Sequence, residues 1–219
     1  MINVWAGEAA MSRVAAECAG RRPVSVNGHP TEGISEFVSF LLNPLVQLLP
    51  TTTHLLNILK DIAGRPPEQC CTCAFDVSSL YTNIPKNEGI DVCRIALSQR
   101  TDRFVPTESI CDLIRMILIM NNFVFNDERF IQRHGTAMGT RMAAAYANLF
   151  MGDFEKKALQ NYPDKPHLWL RYIDDILMVW THGEEKLDEF IKNLNSIHST
   201  TKPTSERSAT SIPFLDVNI

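Results

Sequence analysis

Three aspartates in the sequence stand at the ends of apolar, strand-forming segments. Apolar surroundings disfavour a charged carboxylate unless a cation or a hydrogen-bond donor contacts it. Asp174 and Asp175 are adjacent and lie between two apolar runs, a pattern typical of a β-hairpin with the acidic pair at its turn. Asp76 comes near the end of a third apolar run, Cys71–Val77. If these strands pair, the carboxylates converge at one end of a sheet, where a divalent cation would relieve their repulsion. Hard oxygen ligands of this kind favour Mg²⁺ over Zn²⁺.

These three carboxylates are enough to share two Mg²⁺ ions about 3.5–4 Å apart. Such a pair of ions activates an attacking hydroxyl and stabilises a leaving pyrophosphate, which is the chemistry of phosphoryl transfer. Plainer interpretations stay open, since Asp-Asp alone is often a polar turn and Asp76 alone is often a strand-end cap. The three together favour the metal site, because three strand-end acids need a reason to face inward.

Composition places the chain among globular proteins without marking it as a nucleic-acid binder. Its 219 residues are 45% hydrophobic and 21% charged, enough for one domain or for a core with a small second lobe. The net charge of −4 is not the basic footprint usual in nucleic-acid-binding domains. An acidic protein can nevertheless carry a locally basic groove.

Cysteine usage and hydropathy predict an intracellular protein without a membrane association. The sequence has six cysteines, no secretory signal pattern and no apolar run of about 18 residues, the length of a membrane span. The group Cys70, Cys71 and Cys73 lacks a second Cys or His pair at metal-binding spacing. We therefore predict that these cysteines enter a buried strand.

Hydrophobic periodicity predicts helices alternating with strands, and hence an α+β or α/β sheet domain. The predicted helices follow Thr31 (apolar positions 34–45) and cover 55–62, 88–100, 110–118, 142–150 and 187–194. The predicted strands are 24–26, 71–77, a hairpin over 121–133, the central hairpin over 169–180, and a final strand from 214 to 217. Segments 78–85, 134–140 and 200–211 are predicted turns or loops, and residues 1–20 could form a helix.

Five segments in this order resemble a reverse transcriptase, and in detail the Penelope-like retroelement branch that is related to telomerase. They are FDVSSLYTNIP (75–85), HGTAMGTRMAAAYANLFMG (134–152), WLRYIDDILMVWTHGEE (169–185), RPVSVNGHPTEGISEFV (22–38) and IPFLDV (212–217). The resemblance covers roughly residues 21–219. It implies an α+β polymerase palm, an antiparallel sheet with packed helices, with partial fingers. The implied activity is RNA-directed DNA polymerisation, which extends a DNA primer on an RNA template with deoxynucleoside triphosphates.

The resemblance also assigns the metal ligands. Asp76, Asp174 and Asp175 match the catalytic carboxylates, and the main-chain carbonyl of Val77 would be a further ligand. Two Mg²⁺ ions are implied, with Mn²⁺ as a substitute. The location implied for such an element is the nucleus rather than the cytoplasm, and no protein partner is identified.

Three further residues match positions near the reacting groups. Tyr81 lies where such enzymes place an aromatic gate that leaves no room for a ribonucleotide 2′-OH; core packing is the alternative. Gly135 matches a glycine that lets template or nucleotide approach the backbone, or it serves a plain turn at a helix entry. Tyr172, just before Ile173 and the acids, would abut the primer end.

Basic residues are the next group. Arg22 resembles the fingers arginine that holds the triphosphate, and Arg141 stands where it could contact triphosphate or template phosphate. A surface role is the alternative for both. Lys202 falls where related polymerases carry a lysine that protonates pyrophosphate, although loop lysines are usually solvated. His134, where many relatives carry Gln, is interpreted as variation and not as a metal ligand.

The sequence departs from the family pattern at both ends. Residues 1–20 form an N-terminal segment that stays unassigned. We assign 21–70 to partial fingers and 71–219 to a palm that stops before the primer grip and thumb. No Gly-Leu-Pro-Lys segment precedes the fingers arginine, and Ala144 and Ala145 replace the usual Pro and Ser. A palm without a thumb is expected to grip a duplex weakly.

Two other functions stay open. One is a catalytically inactive, retroelement-derived fragment that at most binds nucleic acid or a partner. The other is a cyclase-like nucleotidyl transferase, disfavoured because it would not need the 134–152 segment or Tyr81.

Overall fold

The computed structural model describes residues 3–5, 29–46, 57–58, 70–125, 128–160, 162–208, 211–215 and 217–219, and only the backbone at 3–5, 124–125 and 128–129. Its internal contacts divide the chain into two units. The first comprises residues 1–46 and 81–150, and the second comprises 47–80 and 151–219. Each unit is described by itself below.

Helices and strands alternate along the described chain. The strands are β1 (Asn3–Trp5), β2 (Cys71–Val77), β3 (Asn122–Phe125), β4 (Glu128–Gln132), β5 (Leu168–Tyr172), β6 (Asp175–Trp180), β7 (Pro203–Ser208), β8 (Pro213–Phe214) and β9 (Val217–Asn218). The α-helices are α1 (Glu32–Leu42), α2 (Leu80–Asn83), α3 (Lys86–Ser98), α4 (Thr107–Ile119), α5 (Ala143–Gln160) and α6 (Glu184–Ile197). A 3₁₀ turn, Asn43–Leu45, extends α1. No described helix has both the length and the apolar character needed to span a bilayer.

The second unit is built on a four-stranded antiparallel sheet in the order β5-β6-β2-β7. Its strands alternate, so that Cys73, Phe75 and Val77 of β2 are buried on one face while the residues between them are less buried. On that buried face Trp180 stacks on Phe190 of α6 with ring centroids 5.1 Å apart. Trp169 of β5 meets the same ring edge-on at 6.1 Å. This aromatic packing fixes the sheet against α6.

The opposite face of the same sheet is covered in part by the end of the chain. The strands β8 and β9 form a small antiparallel hairpin, which turns at Leu215 with φ +52°. Ile212 and Phe214 are buried against Leu177 of β6. The final strand predicted for 214–217 is therefore two short strands, because the chain reverses at Leu215.

The first unit combines a small three-stranded sheet, in the order β1-β4-β3, with helices. The predicted hairpin over 121–133 is confirmed as β3 and β4, and β1 pairs with β4 in parallel. Lys86, at the start of α3, donates from Nζ to the carbonyls of Leu118 (2.6 Å) and Gln132 (3.1 Å). Burial lowers the pKa of Lys86. This lysine thus joins α3, the end of α4 and β4.

Several sequence expectations need correction. Residues 3–5, in a segment whose sequence could form a helix, form a strand that pairs with β4. The predicted turn at 78–85 contains the short helix α2. The predicted loop at 200–211 contains β7, six residues that pair with β2. The strand predicted at 24–26 lies outside the described residues, as does the helix predicted at 55–62 apart from its helical pair 57–58.

Candidate active site

A row of four residues crosses the second unit's sheet at one end. Tyr172 of β5 lies opposite Asp175 of β6, Asp175 lies opposite Asp76 of β2, and Asp76 lies opposite Thr204 of β7. Residues directly opposite each other in a sheet project their side chains to the same face. The predicted meeting of the strands that carry Asp76 and the Asp174-Asp175 pair is therefore observed in the backbone.

The hydrogen bonds show that Asp76 and Asp175 form the close type of antiparallel pair. The Val77 amide donates to the Asp174 carbonyl oxygen at 3.2 Å. A bond between the residue after one partner and the residue before the other marks a non-hydrogen-bonded pair, with Cα atoms about 4.5 Å apart. In this type of pair the side chains approach most closely.

The turn that carries the acids lies one residue earlier than predicted. Ile173 and Asp174 form it, and Asp175 is already the first residue of β6, so only one of the two aspartates lies in the turn itself. Ile173 has φ +56°, a left-handed conformation that is rare for a β-branched residue. Arg171 donates from Nη1 to the Ile173 carbonyl at 3.2 Å. The peptide groups on both sides of Asp174 are thus hydrogen-bonded.

The environment disfavours charge on two of the acids. Burial raises the pKa of Asp174, a backbone hydrogen bond opposes that rise, and the charge of Asp76 adds to it. Burial also raises the pKa of Asp175, and the charges of Asp174 and Asp76 raise it further. A bound cation would lower the cost of both charges.

The side chains themselves do not close into a metal cluster. Among the described residues, no three His, Cys, Asp or Glu side chains are grouped so that they could hold a metal ion. The backbone aligns the acids, but three like charges repel one another, which opposes closure of the carboxylates. The donor set of carboxylate oxygens is nevertheless the one that Mg²⁺ prefers. The predicted metal site stays a prediction.

Asp76 is exposed and has contacts on both its side chain and its main chain. Ser78 donates from Oγ to Asp76 Oδ2 at 3.0 Å, and Thr204 donates from Oγ1 to the Asp76 carbonyl at 3.2 Å. Val77 is buried and lies opposite Pro203. Because proline has no N–H, Pro203 cannot donate a ladder bond to the Val77 carbonyl, the group predicted as a further metal ligand.

Lys202 and Tyr172 lie at the same end of this sheet. Lys202 is exposed and directly precedes β7, whose second residue is opposite Asp76. The lysine predicted in a loop therefore stands at a strand entry near Asp76, Asp174 and Asp175, which we call the acidic row. Tyr172 is 38% exposed and ends β5.

Three predicted site residues that the structure describes, Tyr81, Gly135 and Arg141, belong to the first unit. Tyr81 lies in α2, and its carbonyl accepts a 2.7 Å hydrogen bond from the Thr136 amide. Gly135 has φ +63°, and a Cβ there would overlap the Tyr81 carbonyl oxygen and lie 2.6 Å from the carbonyl carbon of Thr82. Gly135 is therefore required by close approach within the chain itself, whatever else approaches it.

The two predicted arginines differ in what can be described. Arg141 is exposed and forms an ion pair with Glu32 of α1 at 3.5 Å. Arg22 lies outside the described residues. Their predicted roles in binding triphosphate or template stay predictions, as do the roles of Tyr81 and Gly135.

Sequence reasoning missed three residues around the acidic row. Thr204 was hidden in a polar stretch expected to be a loop, and no apolar alternation marks its strand. Arg171 and Glu155 form a largely buried ion pair at 3.0 Å. Their signal was available, since an arginine inside an apolar strand needs a buried partner.

Comparison with known proteins gives a family assignment. The sequence model of a family described as "Reverse transcriptase (RNA-dependent DNA polymerase)" matches residues 19–203. Comparison with curated proteins finds no match.

Solved polymerase structures share the fold. Telomerase from Candida albicans, in complex with the TWJ fragment of telomeric RNA, is 11% identical with a TM-score of 0.65, over 85% of this chain and 36% of that chain. Apo telomerase from Candida tropicalis is 11% identical with a TM-score of 0.66, over 87% and 38%. The RNA-dependent RNA polymerase of a human picobirnavirus is 11% identical with a TM-score of 0.64, over 84% and 36%. The chain thus spans well under half of each, and the likeness confirms the predicted α+β palm-type fold.

Proposed function

Since the chain belongs to the reverse transcriptase (RNA-dependent DNA polymerase) family, we propose that its acidic row is the catalytic centre of an RNA-directed DNA polymerase. One observation carries this proposal. Asp76 and Asp175 form a close cross-strand pair, and Asp174 stands in the adjoining turn. This arrangement brings three acids from distant parts of the sequence to one end of one sheet, as two-metal nucleotidyl transfer requires.

Asp76, Asp174, Asp175 and the Val77 carbonyl would hold two Mg²⁺ ions, or Mn²⁺ in their place. The raised pKa values of Asp174 and Asp175 support this, because a cation offsets the burial and repulsion that raise them. When bound, such ions supply activation of a primer 3′-hydroxyl and charge stabilisation for the leaving pyrophosphate.

The proposed substrates are an RNA template, a DNA primer and deoxynucleoside triphosphates. Tyr172 supports the primer assignment, since it is exposed beside Asp175 in the row. Lys202, exposed at the entry to β7, is proposed to meet the departing pyrophosphate as a general acid. Arg141 is proposed to contact phosphate, in competition with its ion pair to Glu32.

Three assignments rest on sequence resemblance. Tyr81 is proposed as the gate against ribonucleotides, Gly135 as a point of template or nucleotide approach, and Arg22 as a triphosphate ligand. The Penelope-like branch is proposed on the five matching segments, and the telomerase-like fold is consistent with it. A nuclear location belongs to that same proposal.

Primer extension by the purified chain tests the function. We expect extension of a DNA primer on an RNA template with Mg²⁺ or Mn²⁺, because Asp76, Asp174 and Asp175 are all present. The extension should be weak, because a palm without a thumb binds a duplex weakly. Asp174→Asn should lower the rate about a thousandfold, equivalent to roughly 4 kcal/mol of lost transition-state stabilisation. Asp188→Asn is the matched control, since this exposed aspartate of α6 pairs with Arg207 and should leave the rate unchanged.

Other outcomes reject the proposal. Equal extension by wild type and Asp174→Asn would show that the acidic row does not catalyse the reaction. Absence of extension by the wild type, together with retained binding of an RNA–DNA hybrid, would favour an inactive fragment that only binds nucleic acid.

A further inference from the structure

The turn before Asp174 is held in an unfavourable conformation. Ile173 has φ +56°, a backbone region that is unfavourable for a non-glycine residue. Such a conformation persists only when the surroundings impose it. The contacts that impose it here can be named.

Two hydrogen bonds fix the peptide groups that flank Asp174. On one side, Arg171 Nη1 donates to the Ile173 carbonyl at 3.2 Å. On the other side, the Val77 amide of β2 donates to the Asp174 carbonyl at 3.2 Å. The second bond belongs to the sheet ladder, whereas the first depends on one side chain.

Arg171 reaches the turn from the helix-covered face of the sheet. Its side chain is 5% exposed, and its Nε lies 3.0 Å from Glu155 Oε1 of α5. This contact between the guanidinium and the carboxylate is an ion pair. Trp169 Nε1 donates to the same Glu155 oxygen at 2.7 Å. Glu155 is thereby anchored and holds the guanidinium in place.

We propose that Arg171, anchored by Glu155, is a positioning residue that sets the backbone of the Asp174 turn and so the placement of the acids for metal binding. The part of this inference that concerns metal binding rests on the proposed function. The effect of Arg171 on the turn does not depend on that function. A guanidinium is suited to this task, because its planar fork contacts a carboxylate and a carbonyl at once. Lysine keeps the charge but cannot span both partners.

The test compares Arg171→Lys with Arg207→Lys. Arg207 lies in β7 of the same sheet, opposite Cys73 and three residues along the strand from Thr204. It pairs with Asp188 of α6, and both side chains are exposed. In metal-free protein, hydrogen exchange of the Val77 amide reports on its bond to Asp174. Arg171→Lys should speed this exchange about tenfold, while exchange within α6 and the melting temperature stay near wild type.

Binding of Mn²⁺ alone, measured by electron paramagnetic resonance, gives the second readout. We expect Arg171→Lys to weaken Mn²⁺ binding by about tenfold or more, as changes to the partners of metal ligands do. In primer extension it should lower kcat and leave the nucleotide KM unchanged. Arg207→Lys should match wild type in all three measurements.

The outcomes separate this inference from the proposed function. Unchanged Val77 exchange in Arg171→Lys overturns the positioning role, whether or not the protein binds metal. Faster exchange without any Mn²⁺ binding by the wild type would confirm the effect on the turn and reject the metal site. If Arg171→Lys does not fold, Glu155→Gln serves instead, with a smaller effect in the same direction expected and an unchanged turn contradicting the role.

Discussion

Two positions in the molecule take a left-handed backbone conformation for different reasons. Gly135 has φ +63° in the first unit, and Ile173 has φ +56° in the second. Position 135 requires glycine for lack of space, because a Cβ would overlap the main chain at Tyr81 and Thr82. The isoleucine is the wrong residue type for its conformation, and hydrogen bonding by Arg171 and the neighbouring strand holds the turn around it.

The difference separates what the fold needs from what the site needs. At Gly135 residue type and conformation agree, so the position adds no strain and only forbids substitution. At Ile173 they conflict, and the conflict lies next to the proposed catalytic carboxylates. Strain that the surroundings sustain is common beside reacting groups. The comparison therefore predicts different costs when each residue is changed.

The largest expected effect is at the glycine. Gly135→Ala should lower the free energy of unfolding by about 3 kcal/mol, because the left-handed conformation costs about 1–2 kcal/mol and overpacking a similar amount. Urea denaturation measures it. Gly33→Ala is the control, since Gly33 lies in α1 with nothing within 4 Å of an added Cβ.

The control adds the same methyl group where both the backbone and the surrounding space allow it. Gly33→Ala should leave the free energy of unfolding unchanged or raise it by up to about 1 kcal/mol, because alanine is the better helix former. A loss in Gly135→Ala no greater than that in Gly33→Ala would mean that neither the left-handed backbone nor the close approach of Tyr81 and Thr82 constrains Gly135.

Only the glycine half of this comparison could be foreseen from the sequence. A glycine in a turn-forming segment signals a left-handed backbone, whereas Ile173 sits in an apolar run that predicts ordinary strand. The three acids were also foreseeable, because each stands at the end of an apolar run. Their cross-strand register was not, since it depends on pairing between segments about 100 residues apart in the sequence, a separation that local patterns do not record.

The strand beside Asp76 was missed for another physical reason. β7 lies at the edge of the sheet, and edge strands are often polar. Its residues pair through the backbone, so Thr204 carries no hydrophobic signal. The apolar run around Arg171 signals that this arginine needs a buried partner. It does not identify Glu155 as that partner, because the strand and the helix that carry the pair come together only in the folded chain.

The next effect in size tests whether Ile173 stores strain. Ile173→Gly should change the free energy of unfolding by less than about 1 kcal/mol, because relief of strain offsets the lost side chain and the greater freedom of the unfolded chain. Val179→Gly is the control, since Val179 is also β-branched and half-buried but lies in regular strand. It should cost about 2–3 kcal/mol. Similar losses in both variants would show that the turn is not strained.

The smallest effect concerns the charge of Asp175, the residue that follows the turn. Burial, with the charges of Asp174 and Asp76, raises the pKa of Asp175 above its ordinary 3.8. The protonated form is thus favoured in the folded chain, so this contribution to stability is complete below pH 3.8 and is lost as the pH rises through the raised value. In EDTA at pH 7, Asp175→Asn should melt about 1–2 °C above wild type, or roughly 0.5 kcal/mol in a chain of this size, because solvent screens the charge of this partly buried group.

This advantage should shrink as the pH falls toward 4, because the wild-type carboxyl then becomes neutral as well. Added Mg²⁺ should raise the melting temperature of the wild type more than that of Asp175→Asn, since only the wild type keeps the full set of carboxylates. Asp188→Asn, which removes an exposed partner of Arg207, should show neither response. A melting temperature of Asp175→Asn at or below that of the wild type at pH 7 would mean that burial and charge repulsion do not destabilise the acidic row. The strain at Ile173 would then serve the backbone alone.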